Sequence, residues 1–536
     1  MWVFNGEILK RLRITGIVLS LGESEDTLKE TVAALLGIPA DAVSSLVIVR
    51  RSIDARRRKA PRFIYSADCI VPDDVDLKSA DTIMIEVLHD EGKPVHPPAK
   101  IRSGKRPVVV GCGPAGIFAA LTLAEHGLPV LLLERGKKVP ERVADVRAFW
   151  EKGVLNTESH VHFGEGGAGT FSDGKLTSRL RSPLTQWIKK TLVDVGAPAG
   201  ILTDAKPHVG TDRLREVVVN LREMLIELGC EVRFEARVTD FLVHERKIEG
   251  IIVRGNEEIK TDRLILASGQ SAEEIYAKLH EHGAHLEPKP FAIGFRVEHP
   301  QELIDTIQYG RWRGHPDLPP ADYFLTARLP DIERSVYTFC MCPGGSVIGC
   351  SSEEKTIVTN GMSLHGRSGP YANSAVVVAV SCEDFAESVR DPLCGLLFRR
   401  RWEQKAFQLG GGDYRAPAQN LMDFVKDAEK TRIIETSFSP GVKSALLRDV
   451  LPVFAVAALR QGIVELDRKM RGFLTEEANL IGVETRTSSP VRIVRRPDCQ
   501  SVGVAGLYPC GEGAGYAGGI ISSALDGVRA AEKMIL

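Results

Sequence analysis

The chain has 536 residues with a formal net charge of −1, and 43% of its residues are hydrophobic. This length suits several domains, and the near-zero charge gives no electrostatic basis for nucleic acid or an anionic membrane as a partner. Ten cysteines without regular spacing do not form a disulfide framework and fit a reducing cytoplasm. Because no apolar stretch reaches roughly 18 residues and no signal-peptide pattern is seen, we expect a cytoplasmic protein without a membrane partner.

The first hundred residues predict a small α+β domain, 1–100. A strand pattern over 11–19 is followed by a helix that Gly37 ends, with Ser24 or Asp26 as its cap, and strands are predicted at 44–51, 63–71 and 82–88. A proline-rich linker at 92–102 leads to the rest of the chain. The basic residues Arg50, Arg51 and 56–59 are the local feature of this domain that would suit an RNA or protein partner.

A strand–turn–helix–strand pattern begins near Arg106. Its turn carries Gly111, Gly113 and Gly116, and its second strand ends at Glu134. This spacing is typical of a dinucleotide-binding unit, in which the three glycines permit the sharp turn, the approach of a pyrophosphate and close helix–sheet packing. The helix start would bind the phosphates, and the carboxylate would accept hydrogen bonds from ribose hydroxyls.

Three later segments are predicted to belong to the same domain, and a long stretch between them is predicted to form another. A glycine-rich segment covers 162–176, the strand at 264–267 precedes Gly269, and a strand, a glycine turn and a helix close the chain. The stretch 276–490 is too long for a loop and mixes strands with helices. We therefore predict an α/β fold with a Rossmann-like FAD-binding domain at 101–275 and 491–536, an inserted α+β substrate or cap domain at 276–490, and the N-terminal α+β domain. A second helix start beside the cofactor favours FAD, since its dipole would stabilise a reduced, anionic flavin.

These segments resemble the two-dinucleotide-binding-domain flavoproteins. The fuller similarity is to a bacterial family of uncharacterised FAD-dependent dehydrogenases, through FGEGGAGTFSDGKL (163–176), SGPYANSA (368–375), GVETRTSSPVRI (482–493) and GEGAGYAGG (511–519). The resemblance implies tightly bound FAD. The residues implied at its pyrophosphate, adenosine, flavin and ribityl groups are Gly111, Gly113, Pro114, Ala115, Gly116, Glu134, Arg135, Gly166, Gly167, Ala168, Gly169, Thr170, Val238, Gly269, Gly511, Glu512, Gly519, Ile520 and Ile521.

The catalytic candidates are Lys175 and Cys342. Lys175 would place an ammonium near the flavin and favour its reduced form. Cys340 and Cys342 share one face of a predicted strand, and the Pro-Gly-Gly at 343–345 is expected to turn the chain back and bring Cys350 near them. A redox dithiol is one interpretation, although a Cys-x-Cys disulfide in an extended strand is strained, and buried free cysteines are the other. The Cys-x-x-Cys or Cys-x4-Cys spacing of disulfide reductases is absent, which disfavours that chemistry.

Other charged side chains have two readings each. Arg296, Arg486 and Arg492 would bind an anionic substrate or form structural ion pairs. His160 and His162 would titrate near the flavin or be ordinary core histidines. No set of His, Cys and carboxylate residues has metal-ligand spacing, so no metal is predicted.

The sequence thus predicts an FAD-dependent oxidoreductase that moves a hydride between the flavin and a small organic substrate. A second G-x-G-x-x-G is absent, so electrons would come from the substrate or from NAD(P)H that docks transiently. One alternative is a flavin monooxygenase with a single Rossmann domain. Another is a flavin-bearing protein that binds or modifies RNA or a protein partner through the N-terminal domain. The substrate, the direction of hydride transfer and the formation of a homo-oligomer stay open.

Overall fold

The computed structural model describes residues 2–4, 7–56, 59–75, 83–88, 104–178, 180, 182–385 and 391–536. Two compact units are formed. The first comprises Met1–Pro97, Pro198–Pro207 and Asp305–Ala321, and the second comprises Pro98–Ala197, His208–Ile304 and Asp322–Leu536, as far as these ranges are described. The predicted linker at 92–102 and the start of the predicted strand at Thr82 lie outside the described residues. The bounds of the four predicted ranges, 1–100, 101–275, 276–490 and 491–536, stay a prediction.

The first unit is an antiparallel sheet with one α-helix. Its strands are β1 (Trp2–Phe4), β2 (Glu7–Ser20), β3 (Ser45–Asp54), β4 (Arg62–Pro72) and β5 (Met84–Leu88), and its helix is α1 (Leu28–Leu36). The strand order is β1-β2-β4-β3, and β5 also pairs with β2. Leu28 and Val32 of α1 join Leu12 and Ile14 of β2 in one core. Ser24 caps a short 3₁₀ turn ahead of α1 rather than α1 itself.

A five-stranded parallel sheet organises the second unit. Its strands are β6 (Val108–Val110), β7 (Leu131–Leu133), β8 (Glu231–Arg233), β12 (Leu264–Leu266) and β23 (Leu507–Pro509). Their order is β23-β12-β6-β7-β8, so the last strand of the chain joins the edge next to β12. Most of their apolar residues are buried, as expected for parallel strands covered on both faces. The predicted α/β fold class, with a Rossmann-like sheet built from separate parts of the chain, is confirmed.

Helices and a small meander surround this sheet. The helices are α2 (Pro114–Glu125), α3 (Val139–Lys152), α4 (Pro183–Asp194), α5 (Thr211–Glu227), α6 (Glu273–Glu281) and α11 (Ile520–Ile535), and the meander strands are β9 (Val238–His244), β10 (Lys247–Val253) and β11 (Glu257–Lys260). Helix α2 packs against α5 and α11. A Cβ on Gly527 of α11 would lie 2.0 Å from the carbonyl oxygen of Ala115, so α11 approaches the start of α2 closely.

A second, mainly antiparallel sheet forms the rest of this unit. Its strands are β14 (Phe291–Pro300), β15 (Thr326–Leu329), β16 (Arg334–Gly349), β17 (Thr359–Ser363), β18 (Tyr371–Val380), β19 (Ala416–Asn420), β20 (Val442–Ser444) and β21 (Asn479–Glu484). The order is β15-β16-β18-β14-β21-β19-β20, with β17 on β16. Separate from it, β13 (Leu286–Pro288) pairs with β22 (Val491–Ile493). The remaining helices of this unit are α8 (Cys394–Leu409), α9 (Leu421–Val425) and α10 (Val453–Lys469). Helix α7 (Gln301–Tyr309) begins in the range of this unit and ends in that of the first.

The predicted hairpin at 343–345 is wrong. Strand β16 continues through Pro-Gly-Gly, and its second half pairs with β17. A Cβ on Gly344 would lie 1.7 Å from the carbonyl oxygen of Arg367, and one on Gly345 would lie 2.3 Å from that of Met362. These glycines therefore allow a close approach of neighbouring backbones rather than a turn. No helix within the described ranges is long and apolar enough to cross a membrane.

Candidate functional site

The turn between β6 and α2 has no room for side chains at two of its glycines. Gly111 has φ +104°, and a Cβ there would lie 2.3 Å from the carbonyl oxygen of Ala267. A Cβ on Gly116 would lie 1.9 Å from the carbonyl oxygen of Gly111. Gly111 therefore turns the chain against the end of the neighbouring strand, and Gly116 lets α2 lie close to the sheet.

A cavity of about 410 Å³ lies at the carboxyl ends of the parallel strands. Its volume falls in the usual range for small-molecule sites, and this end of the strands is where open α/β sheets bind ligands. The predicted site residues that line it are Gly111, Gly113, Pro114, Ala115, Glu134, Arg135, Gly167, Ala168, Gly169, Lys175, Val238, Gly269, Gly511, Glu512, Gly519 and Ile520. Segments far apart in the chain thus meet at one cavity.

Four predicted cofactor residues lie behind the lining. Gly116 packs α2 on the sheet, and Ile521 is buried one residue past the start of α11. Thr170 donates its hydroxyl to the carbonyl oxygen of Glu165 at 3.0 Å. A Cβ on Gly166 would lie 2.2 Å from the Thr170 hydroxyl oxygen. These four residues therefore support the residues that line the cavity and do not line it themselves.

Glu134 ties together three stretches of backbone around the cavity. Its carboxylate accepts hydrogen bonds from the backbone N–H groups of Cys112 at 2.9 Å, Gly136 at 2.9 Å and Gly164 at 2.8 Å. The side chain is buried yet lines the cavity. Besides the ribose contact predicted for it, this acid therefore holds the dinucleotide turn against the glycine-rich loop.

Arg142 of α3 holds the glycine-rich loop through hydrogen bonds to its backbone. Its guanidinium is buried and donates to the carbonyl oxygens of His160 at 2.9 Å, Val161 at 2.8 Å, Glu165 at 2.6 Å and Gly167 at 2.9 Å. Burial lowers the pKa of Arg142 to about 10, so the group keeps its charge at neutral pH. One cation thus satisfies carbonyl groups that a tight loop cannot pair within itself.

Arg135 lies at the wall of the cavity in a paired and stacked position. Its guanidinium contacts Glu158 at 2.9 Å and Glu274 at 2.6 Å, and its centre is 4.0 Å from the ring centre of Phe163. These contacts fix the plane of the guanidinium beside Glu134. A planar cation held in this way suits contact with a ribose or an adenine.

Glu512 and Gln270 form a polar pair on the lining. The Gln270 side-chain amide donates to the Glu512 carboxylate at 2.5 Å and to the carbonyl oxygen of Arg486 at 2.9 Å. Burial raises the pKa of Glu512 to about 7 despite this hydrogen bond. The carboxyl is therefore held in a fixed orientation close to its titration point at neutral pH.

A cluster of charges around Lys175 borders the cavity. Asp173 is buried and accepts hydrogen bonds from Lys175 at 2.9 Å and from Arg367 at 3.0 and 2.6 Å. Although burial opposes it, the charges of Lys175 and Arg367 lower the pKa of Asp173 to about 2. Two cations share one carboxylate here, so the cluster carries an excess of one positive charge and favours an anion at the cavity.

The two cysteines of the Cys-x-Cys segment have different surroundings. Cys340 is half-buried and lines the cavity, whereas Cys342 is fully buried and lies off the lining. Cys350 follows the end of β16, is buried and has its thiol 3.5 Å from the carbonyl oxygen of Val358. With the hairpin absent, the predicted approach of Cys350 to the other two has no structural basis. Of these cysteines, Cys340 lies at the cavity and the predicted candidate Cys342 does not.

The arginines considered as anion binders are engaged within the fold. Arg296 is fully buried and lies 3.4 Å from Glu484. Arg486 lines the cavity but donates to both carboxylate oxygens of Glu403, at 3.1 and 2.9 Å. Arg492 is not among the cavity-lining residues. For the first two residues, the structure shows the ion-pair alternative.

Of the two histidines before the glycine loop, His160 is buried, whereas His162 is half-buried and lines the cavity. The His162 ring contacts the hydroxyls of Ser352 at 2.9 Å and Ser271 at 3.1 Å. Burial and the charge of Arg486 hold the pKa of His162 well below its usual value. Burial and the neighbouring His162 do the same for the pKa of His160. Both rings are therefore neutral at physiological pH.

Comparison with known proteins connects this cavity to a cofactor. Residues 105–287 match the family model described as pyridine nucleotide-disulphide oxidoreductase, residues 290–487 match that of FAD-dependent protein, C-terminal domain-like, and residues 11–70 match a domain of unknown function, DUF8436. A Clostridium beijerinckii protein named "Uncharacterized protein" is 44% identical over 534 residues, which cover 98% of both chains. The chain belongs to this family of FAD-dependent proteins. FAD is its cofactor, and the matched domains are those of oxidoreductases.

Solved structures give weaker similarities. The complex of CtdE with FAD is 13% identical, with 79% of this chain and 82% of that chain covered and a TM-score of 0.31. A geranylgeranyl bacteriochlorophyll reductase-like protein from Thermoplasma acidophilum is 15% identical, with 80% and 77% covered and a TM-score of 0.34. TM-scores in this range are too low to transfer a reaction or a substrate.

The cavity residues fit FAD on two observations. No side chain among the described residues caps α2 or α11, whose first turns follow Gly113 and Gly519 at the cavity, so their backbone N–H groups are available to phosphate and flavin oxygens. A Cβ on Gly167 would lie 3.0 Å from the Cα of Gly113, so side chains at this point would fill the space where the loop crosses the turn. The glycines of the two segments therefore leave one open cradle, which would hold the pyrophosphate of FAD.

Three residues of the site differ from the sequence-based prediction. Arg142 and Gln270 were not predicted, and Cys340 was named only as the partner of the candidate Cys342. A signal existed for Arg142, because it shares the buried stripe of α3 with Val139, Val146 and Phe149. A charged residue on such a stripe needs several hydrogen-bond partners. For the other two the local sequence offers no comparable signal.

Proposed function

We propose that this FAD-dependent protein moves a hydride between its flavin and a small organic substrate. The observation that carries the proposal is the joint lining of one cavity. The dinucleotide turn and Glu134 share it with Lys175, Cys340 and Thr487. A cofactor site and a set of reactive polar groups thus open to the same space, as a hydride transfer requires.

The charges at the cavity suit electron transfer through a flavin. Bound FAD supplies the two-electron chemistry, and its reduced form is stabilised by nearby positive charge. Lys175 belongs to the cluster with one excess positive charge, and the start of α11 at Gly519 adds the positive end of a helix dipole. In this proposal Lys175 stabilises the reduced cofactor, and NAD(P)H that docks transiently or the substrate itself supplies the electrons.

The visible spectrum of the purified protein tests the proposal. We expect a flavin spectrum that bleaches anaerobically on addition of NADH, NADPH or a metabolite from a screen. Lys175→Met should slow this bleaching roughly 10-fold or more, in line with the loss of one stabilising donor. Lys190→Met, on the exposed side of α4, is the matched control and should bleach at the wild-type rate.

Two outcomes would contradict the proposal. One is the absence of protein-bound flavin absorbance even after the protein has been incubated with FAD and the free FAD removed. The other is substrate conversion that requires oxygen, which would favour the monooxygenase reading instead. Anaerobic and aerated reactions with the same substrate separate these cases.

A further inference from the structure

Strand β16 carries two cysteines near the cavity, one on its lining and one buried. Cys340 lines the cavity, and Cys342 is buried behind it, with its sulfur 3.4 Å from the carbonyl oxygen of Cys340. The pairing of β16 with β18 shifts register between Phe339 and Cys342, and Cys340 takes φ +45°. At this irregularity the Cys342 thiol turns back towards residue 340 and donates to its carbonyl oxygen.

Two cations surround this pair of thiols. Lys175 donates to the carbonyl oxygen of Met341, the residue between the cysteines. Arg296 donates to the carbonyl oxygen of Cys340 at 2.6 Å and lies 3.4 Å from the Cys342 sulfur. The hydrogen bond from Cys342, with the charges of Lys175 and Arg296, lowers the pKa of Cys340, while the pKa of Cys342 is raised. Cys340, the cysteine at the cavity, is thus the more acidic of the two, and Cys342 is the one that keeps its proton more readily.

We propose that Cys340 and Cys342 are a redox-active dithiol that exchanges an electron pair with the bound FAD. The proposal rests on the function proposed above, since it needs FAD to be reduced in this cavity. In the forward step the reduced flavin gives up two electrons and one proton, and the sulfur–sulfur bond of the oxidised pair breaks. The electron pair enters at Cys340, the cysteine at the cavity, and displaces Cys342, which takes the proton as a thiol. Cys340 ends as the thiolate, and oxidised FAD remains. Atoms and charge balance without a further reactant.

The arrangement suits a labile rather than a structural disulfide. A Cys-x-Cys bridge cannot reach relaxed geometry in an extended strand, and strain makes a disulfide easier to reduce. The low pKa of Cys340 favours the thiolate as its final state, and the raised pKa of Cys342 lets it hold the proton. Both properties favour rapid exchange with the flavin.

An anaerobic reductive titration of the holoprotein, oxidised beforehand, tests this proposal. With dithionite as the titrant, the wild type should take up two electron pairs per FAD, one for the flavin and one for the disulfide. Cys340→Ser and Cys342→Ser should each take up one pair. Cys382→Ser, at a half-buried cysteine off the cavity lining, is the matched control and should still take up two.

Thiol labelling of the wild type gives a second readout that needs no substitution. In the oxidised holoprotein the peptide with both cysteines should resist alkylation, and after reduction it should gain two labels by mass spectrometry. Uptake of a single pair by the wild type, or full labelling of the oxidised protein, overturns the proposal. Bleaching by NAD(P)H or substrate in the same samples reports on the proposed function separately, so the two can fail independently.

Discussion

Replacement of Arg142 by methionine tests how the glycine-rich loop is held over the FAD site. The buried guanidinium donates four hydrogen bonds of 2.6–2.9 Å to backbone carbonyl oxygens of residues 160–167. A hydrogen bond to a charged group contributes about 1.5–3 kcal/mol, and methionine supplies none while filling a similar volume. The carbonyl oxygens would then lose this donor, although that of Glu165 would keep the Thr170 hydroxyl.

The expected loss is smaller than the sum of four such bonds, because the loop can relax and admit water. Removal of one member of a buried charged network costs about 3–5 kcal/mol, and we expect the free energy of unfolding to fall by this amount. If about 1.4 kcal/mol of the loss falls on the loop conformation that binds FAD, the affinity for FAD drops tenfold.

Urea unfolding followed by circular dichroism measures the first effect, and flavin fluorescence titration of the protein measures the second. Arg147→Met is the matched control, because Arg147 lies on the same helix with a side chain that is 69% exposed. The control should stay within about 0.5 kcal/mol of the wild type. If Arg142→Met also stays within that range and binds FAD normally, the role assigned to Arg142 is refuted.

Three further predictions concern the cofactor site. Gly116→Ala should abolish FAD binding, because the new Cβ would lie 1.9 Å from a backbone carbonyl oxygen. Flavin retention after gel filtration measures this. Gly366→Ala is the control and should retain FAD, because a Cβ at that position would have no atom within 4 Å. Glu134→Gln should lower the free energy of unfolding by about 1–3 kcal/mol, since an amide cannot accept from all three backbone N–H groups. The exposed Glu141→Gln is the control and should leave this free energy unchanged. Equal losses for the two variants in urea unfolding would contradict the role given to Glu134. Because the pKa of Glu512 is raised to about 7 in the folded chain, the folded state holds the extra proton between about pH 4.3 and 7. Stability without FAD should therefore fall as pH rises through this window, by up to about 1.4 kcal/mol per unit, and Glu512→Gln should flatten a plot of melting temperature against pH.

The dinucleotide turn could be predicted from the sequence because its physical requirements are local. Gly111 and Gly116 are needed by backbone that lies within a few residues or at the end of the adjacent strand. Glu134 follows from the same spacing, as the acid that ends the second strand. Steric limits of this kind leave a fixed pattern along the chain, so the fold class and much of the FAD site were accessible without coordinates.

Other features depend on pairings that no local pattern records. Gln270 acquires its role from Glu512, 242 residues further along the chain. The Pro-Gly-Gly at 343–345 has the composition of a turn, yet the strand continues because its glycines admit the close backbones of residues 362 and 367. This continuation decides which thiol faces the cavity. At this point strand pairing across the sheet determines the backbone conformation, although the local composition favours a turn.

The charge cluster at Lys175 connects the two proposals. Reduced flavin carries one negative charge, and so does Cys340 as a thiolate. In the proposed exchange a single negative charge passes from the flavin to a sulfur, and both lie beside the same excess positive charge of Asp173, Lys175 and Arg367. The net charge of the cavity is then the same before and after the transfer. Because a preorganised cation serves both states, little reorganisation of the surroundings is required, which favours fast transfer in either direction.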